Sequence, residues 1–215
     1  MKKRIALCLV LVLLLTCAAC GNVQDTLDGL AEQVGQEVNK ELARGTIAGN
    51  VYTSEFVDMT FTKPETWTFA TDEEIAQTMK IGMALMKDPN AYQKAISKMA
   101  TIFDMMVIDS ATGTNISILY ENLAVTGNTG MHEDAYIEAT KSLLQAQVNA
   151  EYVFGETSDI ELSGDAYRRM SFIATYDGVQ MEQIYYVRAM DKYMHVIILT
   201  LVNGVTAADV EAMFS

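Results

Sequence analysis

Apolar and polar residues alternate most clearly in the last third of the chain. Ala166 to Tyr176 and Val179 to Met190 flank Asp177-Gly178, a dipeptide that favours positive φ at both turn positions. The pattern predicts a tight hairpin. Its register puts Met170, Phe172, Ala174 and Tyr176 on one face with Tyr185, Gln183, Met181 and Val179. Arg169, Ser171, Ile173 and Thr175 share the other face with Tyr186, Ile184, Glu182 and Gln180. Tyr193 to Val202 is apolar at nearly every position, which predicts a central strand covered on both sides. Thr206-Ala207-Ala208-Asp209 opens a last short helix with Val210, Met213 and Phe214 facing inward.

Upstream, Phe56 to Phe61 reads as a strand, Pro64 breaks it, and Trp67 to Ala70 starts another. Thr71-Asp72-Glu73-Glu74 is a capping box, and the helix it opens carries Ile75, Met79, Met83 and Met86 on one face. Asp88-Pro89 starts a second helix with the stripe Tyr92, Ile96, Met99 and Phe103. Met105 to Ile108 and Ile116 to Val125 read as strands around the turn residues Thr112 to Asn115. A long helix is expected over Met131 to Asn149, with Tyr136, Ile137, Thr140, Leu143, Leu144 and Val148 inward. A short strand follows near Tyr152-Val153-Phe154. Together these elements predict an α+β fold: an antiparallel β-sheet flanked by helices, closed by a C-terminal three-strand meander.

The start of the chain is of another kind. Met1-Lys2-Lys3-Arg4 is basic, and Ile5 to Leu15 is an apolar run of secretory-signal length. Thr16-Cys17-Ala18-Ala19-Cys20-Gly21 then resembles the bacterial lipobox, with Cys17 where leucine is usual. The resemblance implies a lipoprotein signal peptide over 1–19 and lipidation of Cys20. The membrane would then be held through the lipid anchor, with the protein on the extracytoplasmic face of the cell envelope. Residues 20–50 read as the lipidated cysteine and a tether. Val23, Leu27, Leu30, Val34, Val38 and Leu42 form a narrow helical stripe, which suits a stalk or a partner-binding helix, and Gly45 and Gly49 end it. The globular domain is expected over 51–215.

Charge and cysteine usage narrow the chemistry. Removing Lys2, Lys3 and Arg4 takes the formal charge from −13 to −16, which argues against nucleic acid as a partner. All three cysteines, Cys8, Cys17 and Cys20, precede the folded part, so no disulfide, thiol nucleophile or thiolate metal ligand is expected there. Fourteen methionines suit either a filled core or a pliable binding surface.

Tyr52-Thr53-Ser54, Phe61, Pro64 and Trp67 form an opening pattern. Gly164, Tyr167-Arg168, the Asp177-Gly178 hairpin, Gln183-Ile184-Tyr185-Tyr186 and Tyr193 form a closing one. With the element order, these residues resemble the PsbP-like, Mog-type domain over Val51 to Ser215. The resemblance implies a PsbP-like α/β/α sandwich. It also implies a non-enzymatic binding or accessory module for a protein or envelope component, with no shared catalytic apparatus and no cofactor.

The remaining chemistry is sparse. His132, Glu133 and Asp134 occupy adjacent helical positions and do not converge on a metal. His195 lies within the apolar strand, in the role of a hydrogen-bonded structural histidine or of a general base. There is no Gly-x-Ser-x-Gly, calcium loop or phosphate-binding lysine loop. Asp159, Glu161 and Asp165 cluster without a defined geometry. The hairpin register puts Arg169 and Arg188 on one face with Tyr167 and Tyr186, a candidate binding patch for a carboxylate or acidic partner. The competing reading pairs these arginines internally with Glu182 or Glu161. A small-molecule binder with a pocket between sheet and helices, and an envelope hydrolase, are the alternative functions.

Overall fold

The computed structural model describes residues 41–148 and 150–215. The expected signal peptide, Cys20 and the expected stripe from Val23 to Val38 lie outside them. An eight-stranded, wholly antiparallel sheet dominates the fold. Its path runs β4 (Trp67–Phe69), β5 (Thr101–Asp109), β6 (Asn115–Asn122), β11 (Tyr193–Leu201), β10 (Val179–Met190), β9 (Asp165–Tyr176) and β7 (Glu151–Phe154). β8 (Ser158–Leu162) pairs with β9 beside β7. The predicted meander is β9-β10-β11, and the Tyr176–Val179 register is as the alternation requires. Asp177 and Gly178 both have positive φ, 49° and 77°. β11 is buried at all nine positions, as its composition demands.

Each face of this sheet carries a layer. α5 (Glu133–Gln145) packs on β7, β9 and β10 through Tyr136, Ile137, Thr140 and Leu144. The opposite face carries a three-stranded sheet of β1 (Thr46–Ala48), β2 (Val51–Ser54) and β3 (Met59–Thr62), together with α6 (Ala207–Glu211). Phe61 meets Phe69 and Phe214 there, and Phe56 meets Tyr120 and Tyr193 edge to face. α1 (Asp72–Thr78), α2 (Met83–Lys87) and α3 (Pro89–Ile96) close the β5 end, and α4 (Leu123–Thr126) is a single turn after β6. The capping boxes at Thr71 and Thr206 both form. The fold is α+β, mostly antiparallel sheet with a few helices.

Four expectations are corrected. The folded unit begins before Val51: Leu42 is buried, β1 pairs with β2, and Arg44 bridges to Asp72. Gly45 serves this junction as well as ending a pattern. Its N–H reaches buried Asp104, and a Cβ there would lie 2.3 Å from the Tyr52 ring. The first helix is interrupted by Lys80 at φ 56° and resumes as α2. The second ends at Ile96, and Phe103 belongs to β5, because pairing with β6 claims the chain from Thr101 onward. The long helix ends at Gln145, leaving Leu143 and Val148 exposed as the chain turns back into β7.

Candidate functional site

The small-sheet face of the large sheet holds a row of polar side chains that the apolar strand pattern conceals. Register places Tyr120 of β6, His195 of β11 and Arg188 of β10 side by side, with Tyr167 of β9 next in line. His195 is fully buried. Its Nδ1 shares a hydrogen bond with the Tyr167 hydroxyl at 3.0 Å, and its ring stacks on Tyr120 at 5.0 Å. Nε2 has no protein partner. Burial, reinforced by the charge of Arg188, pushes the imidazole down to about 3. It is therefore neutral across the physiological range and too weak a base to activate a nucleophile. The structural role wins over the general base.

The row continues into the small sheet. The Tyr120 hydroxyl lies 3.3 Å from Ser54 Oγ. Tyr52 donates to Asp104 Oδ2 at 2.6 Å, and the Gly45 N–H donates to Oδ1 at 2.9 Å. Asp104 sits at the irregularity in β5 between Phe103 and Met105. Burial raises its carboxyl above the ordinary value, opposed by the Tyr52 and Gly45 hydrogen bonds and by Arg44. Asp104 was missed in the sequence. Its one signal is a lone acid inside the run Thr101 to Ile108.

Tyr167, Arg169, Tyr186 and Arg188 do share this face, but not as an open patch. Both tyrosines are buried, at 2% and 0% exposure. The arginines are about a quarter exposed and paired within the molecule: Arg188 with Asp165, and Arg169 with Glu211 at 3.8 Å. The Tyr186 hydroxyl also donates to Glu211. The guanidinium of Arg188 lies over the Tyr167 ring, 5.9 Å from its centroid. Burial lifts the Tyr167 hydroxyl to about 12, with Arg188 opposing. Arg168 points to the α5 face, where Asp134 and Asp159 hold it at 2.8 and 2.9 Å. The carboxylates Glu182 and Glu161, expected as partners from nearness in sequence, take no part. The partners come from α5, α6, β8 and the start of β9, whose positions depend on the fold.

On the α5 face Glu121 lies against Tyr136, and burial pushes it up to about 7. His132 caps α5 without a side-chain hydrogen bond. Among the described residues, no three His, Cys, Asp or Glu side chains come together as a metal site.

The exposed apolar side chains have a different distribution. Among the described residues, Val153 (68% exposed), Val179 (59%), Leu143 (42%) and Val148 (94%) lie toward one end of the sheet, while Ile47 and Val125 are exposed elsewhere, in β1 and α4. β7 begins opposite Thr175, next to the hairpin tip that carries Val179. Leu143 is in the last turn of α5, and Tyr152 of β7 donates to Gln147 just beyond it, at 2.8 Å. Tyr152, Phe154 and Phe172 form an aromatic cluster at this end.

No family model matches the chain, and no curated protein matches it. It is similar to the solution structure of cyanobacterial PsbP (CyanoP) from Synechocystis, at TM-score 0.47 and 12% identity, over 80% of this chain and 96% of that one. It is also similar to a protein of Bacteroides thetaiotaomicron, at TM-score 0.41 and 12% identity, over 79% of this chain and 48% of that one.

Proposed function

We propose that this chain is a bacterial, membrane-anchored extracytoplasmic lipoprotein whose PsbP-like domain is a non-enzymatic binding or accessory module for a protein or envelope component. The anchor rests on the lipobox pattern ending at Cys20. The binding role rests on one contrast. Most polar groups between the sheets are bonded to one another, whereas four of the six exposed large apolar side chains among the described residues lie toward the β7 end. A hydrolase would need a base, and the buried histidine is held neutral by desolvation rather than poised for proton transfer.

The test is fractionation of cells carrying the wild-type chain or Cys20→Ala, followed by in-cell crosslinking. The wild type should enter the membrane fraction and crosslink reproducibly to a discrete partner. Cys20→Ala should leave the membrane or accumulate unprocessed. Unchanged retention of Cys20→Ala would remove the anchor from the proposal, and the absence of any crosslinked partner would remove the module.

A further inference from the structure

Open sheet edges offer unpaired N–H and C=O groups to any extended chain, and folded proteins normally cover or blunt them. The outer edge of β3 is covered by the C-terminus. Thr60 N–H donates to Ser215 O at 2.8 Å, Thr62 N–H to Met213 O at 2.9 Å, and Ser215 N–H returns to Thr60 O at 2.9 Å. The outer edge of the large sheet is treated differently. β7 and β8 both pair with β9 on one side, and Gly155 N–H joins Ser171 O between them at 2.8 Å. Glu151 to Leu162 thus runs as one interrupted ribbon along β9. Among the described residues, no hydrogen bond covers its outer side.

The ribbon is guarded only by its shortness, its break and its acidic side chains. It holds no Lys, Arg or Pro. Val153 stands exposed beside Ile173, and Ile160 is half-buried beside Tyr167. Its charges all have one sign: Glu151, Glu156, Asp159 and Glu161 are exposed, and of these only Asp159 is spent on an arginine. A second copy of this chain would bring the same carboxylates to the seam, and like charges across paired strands destabilise. The complementary occupant is basic.

We propose that the Glu151–Leu162 edge takes up an extended segment of a partner protein, in which apolar residues alternate with Lys or Arg, as an added strand. This rests on the binding-module reading. Main-chain hydrogen bonds would supply affinity, and the exposed carboxylates with Val153 would select the segment.

The experiment uses the full chain in detergent micelles and a fluorescent alternating valine–lysine peptide, read by anisotropy. An alternating valine–glutamate peptide and a valine–lysine peptide N-methylated at every second residue are the controls. The valine–lysine peptide should bind. Binding should weaken about tenfold or more on N-methylation, on valine–glutamate replacement, and in the protein variant Glu151→Lys/Glu161→Lys, whose changes are on exposed side chains. No binding by the lysine peptide overturns the proposal. So does equal binding of the N-methylated peptide, because charge alone would then explain it. Self-association of the wild type that competes with the peptide also overturns it, making a second copy the occupant. If the in-cell partner still crosslinks to Glu151→Lys/Glu161→Lys, the edge falls and the module stands.

Discussion

The buried histidine makes a pH experiment decisive. His195 is fully buried, and its imidazole is lowered to about 3 by desolvation and by Arg188. The unfolded imidazole has an ordinary value near 6.5. Between these values the unfolded chain binds a proton that the folded protein does not. Stability therefore rises with pH across that window and is lost as the pH falls through about 6.5. Integrating the proton uptake of the unfolded group from about pH 7.5 down to about pH 5 gives about 2 kcal/mol. Any folded value below about 4 gives nearly the same result, because the folded group takes up almost no proton in that interval. The perturbation is His195→Gln, which keeps a polar partner for Tyr167 and does not titrate; His195→Phe serves as a second non-titrating ring. Urea unfolding at the two pH values gives the loss for each protein. The wild type should lose about 2 kcal/mol more than either variant on going to the lower pH. Every other ionisable group, the raised Glu121 included, is common to both and cancels. An equal loss in wild type and variants would refute a neutral, desolvated His195, whatever the variants cost in absolute stability.

The other predictions are shorter. Glu121 has the opposite sign: its carboxyl is raised from 4.5 to about 7, so its contribution is lost as the pH rises through that window, and in urea unfolding Glu121→Gln should lose less stability than the wild type between those two values. Gly45→Ala would press a methyl into the Tyr52 ring and should cost about 1–3 kcal/mol by urea unfolding. Ile198→Ala, in the fully buried central strand, should cost about 2–5 kcal/mol by the same measurement. Arg188→Ala strands Asp165 and uncovers Tyr167, so it should lower the melting temperature; an unchanged melt with lost partner crosslinking would instead make the arginine a contact residue.

What the sequence conveyed depended on how local the cause was. The Asp177-Gly178 hairpin was legible because a two-residue turn with two positive φ angles fixes the register of both strands. The capping box at Thr71 and the helix start at Thr206 were legible because their partners lie within one turn. Phe103 misled: it continues the helical stripe of Tyr92 and Ile96, but long-range pairing with β6 outweighs that spacing. The extended helix face misled at Leu143 and Val148, where periodicity cannot tell a core stripe from an exposed helix end. The arginines were found on their faces, yet their partners were not, because Asp134, Glu211 and Asp165 reach them only through tertiary structure. Asp104 and its bond to Gly45 span 59 positions, beyond any pattern of spacing.

The strand order relates the proposed anchor to the proposed docking edge. The chain enters the domain at the β5 end, where Leu42 is buried, Arg44 bridges to Asp72, and Gly45 is tied to Asp104. The open ribbon lies along β9, at the other end of the order β5-β6-β11-β10-β9-β7. Five strand spacings at about 4.8 Å put some 24 Å between them. An anchor at Cys20 would join the domain at the first end. The strands between are among the most buried in the molecule, and the Tyr167–His195–Tyr120 row runs across them. A partner strand adding at β7 would extend a sheet already rigid, so ordering falls mainly on the partner. Reversing charge on the ribbon should therefore change partner binding while leaving retention through Cys20 untouched.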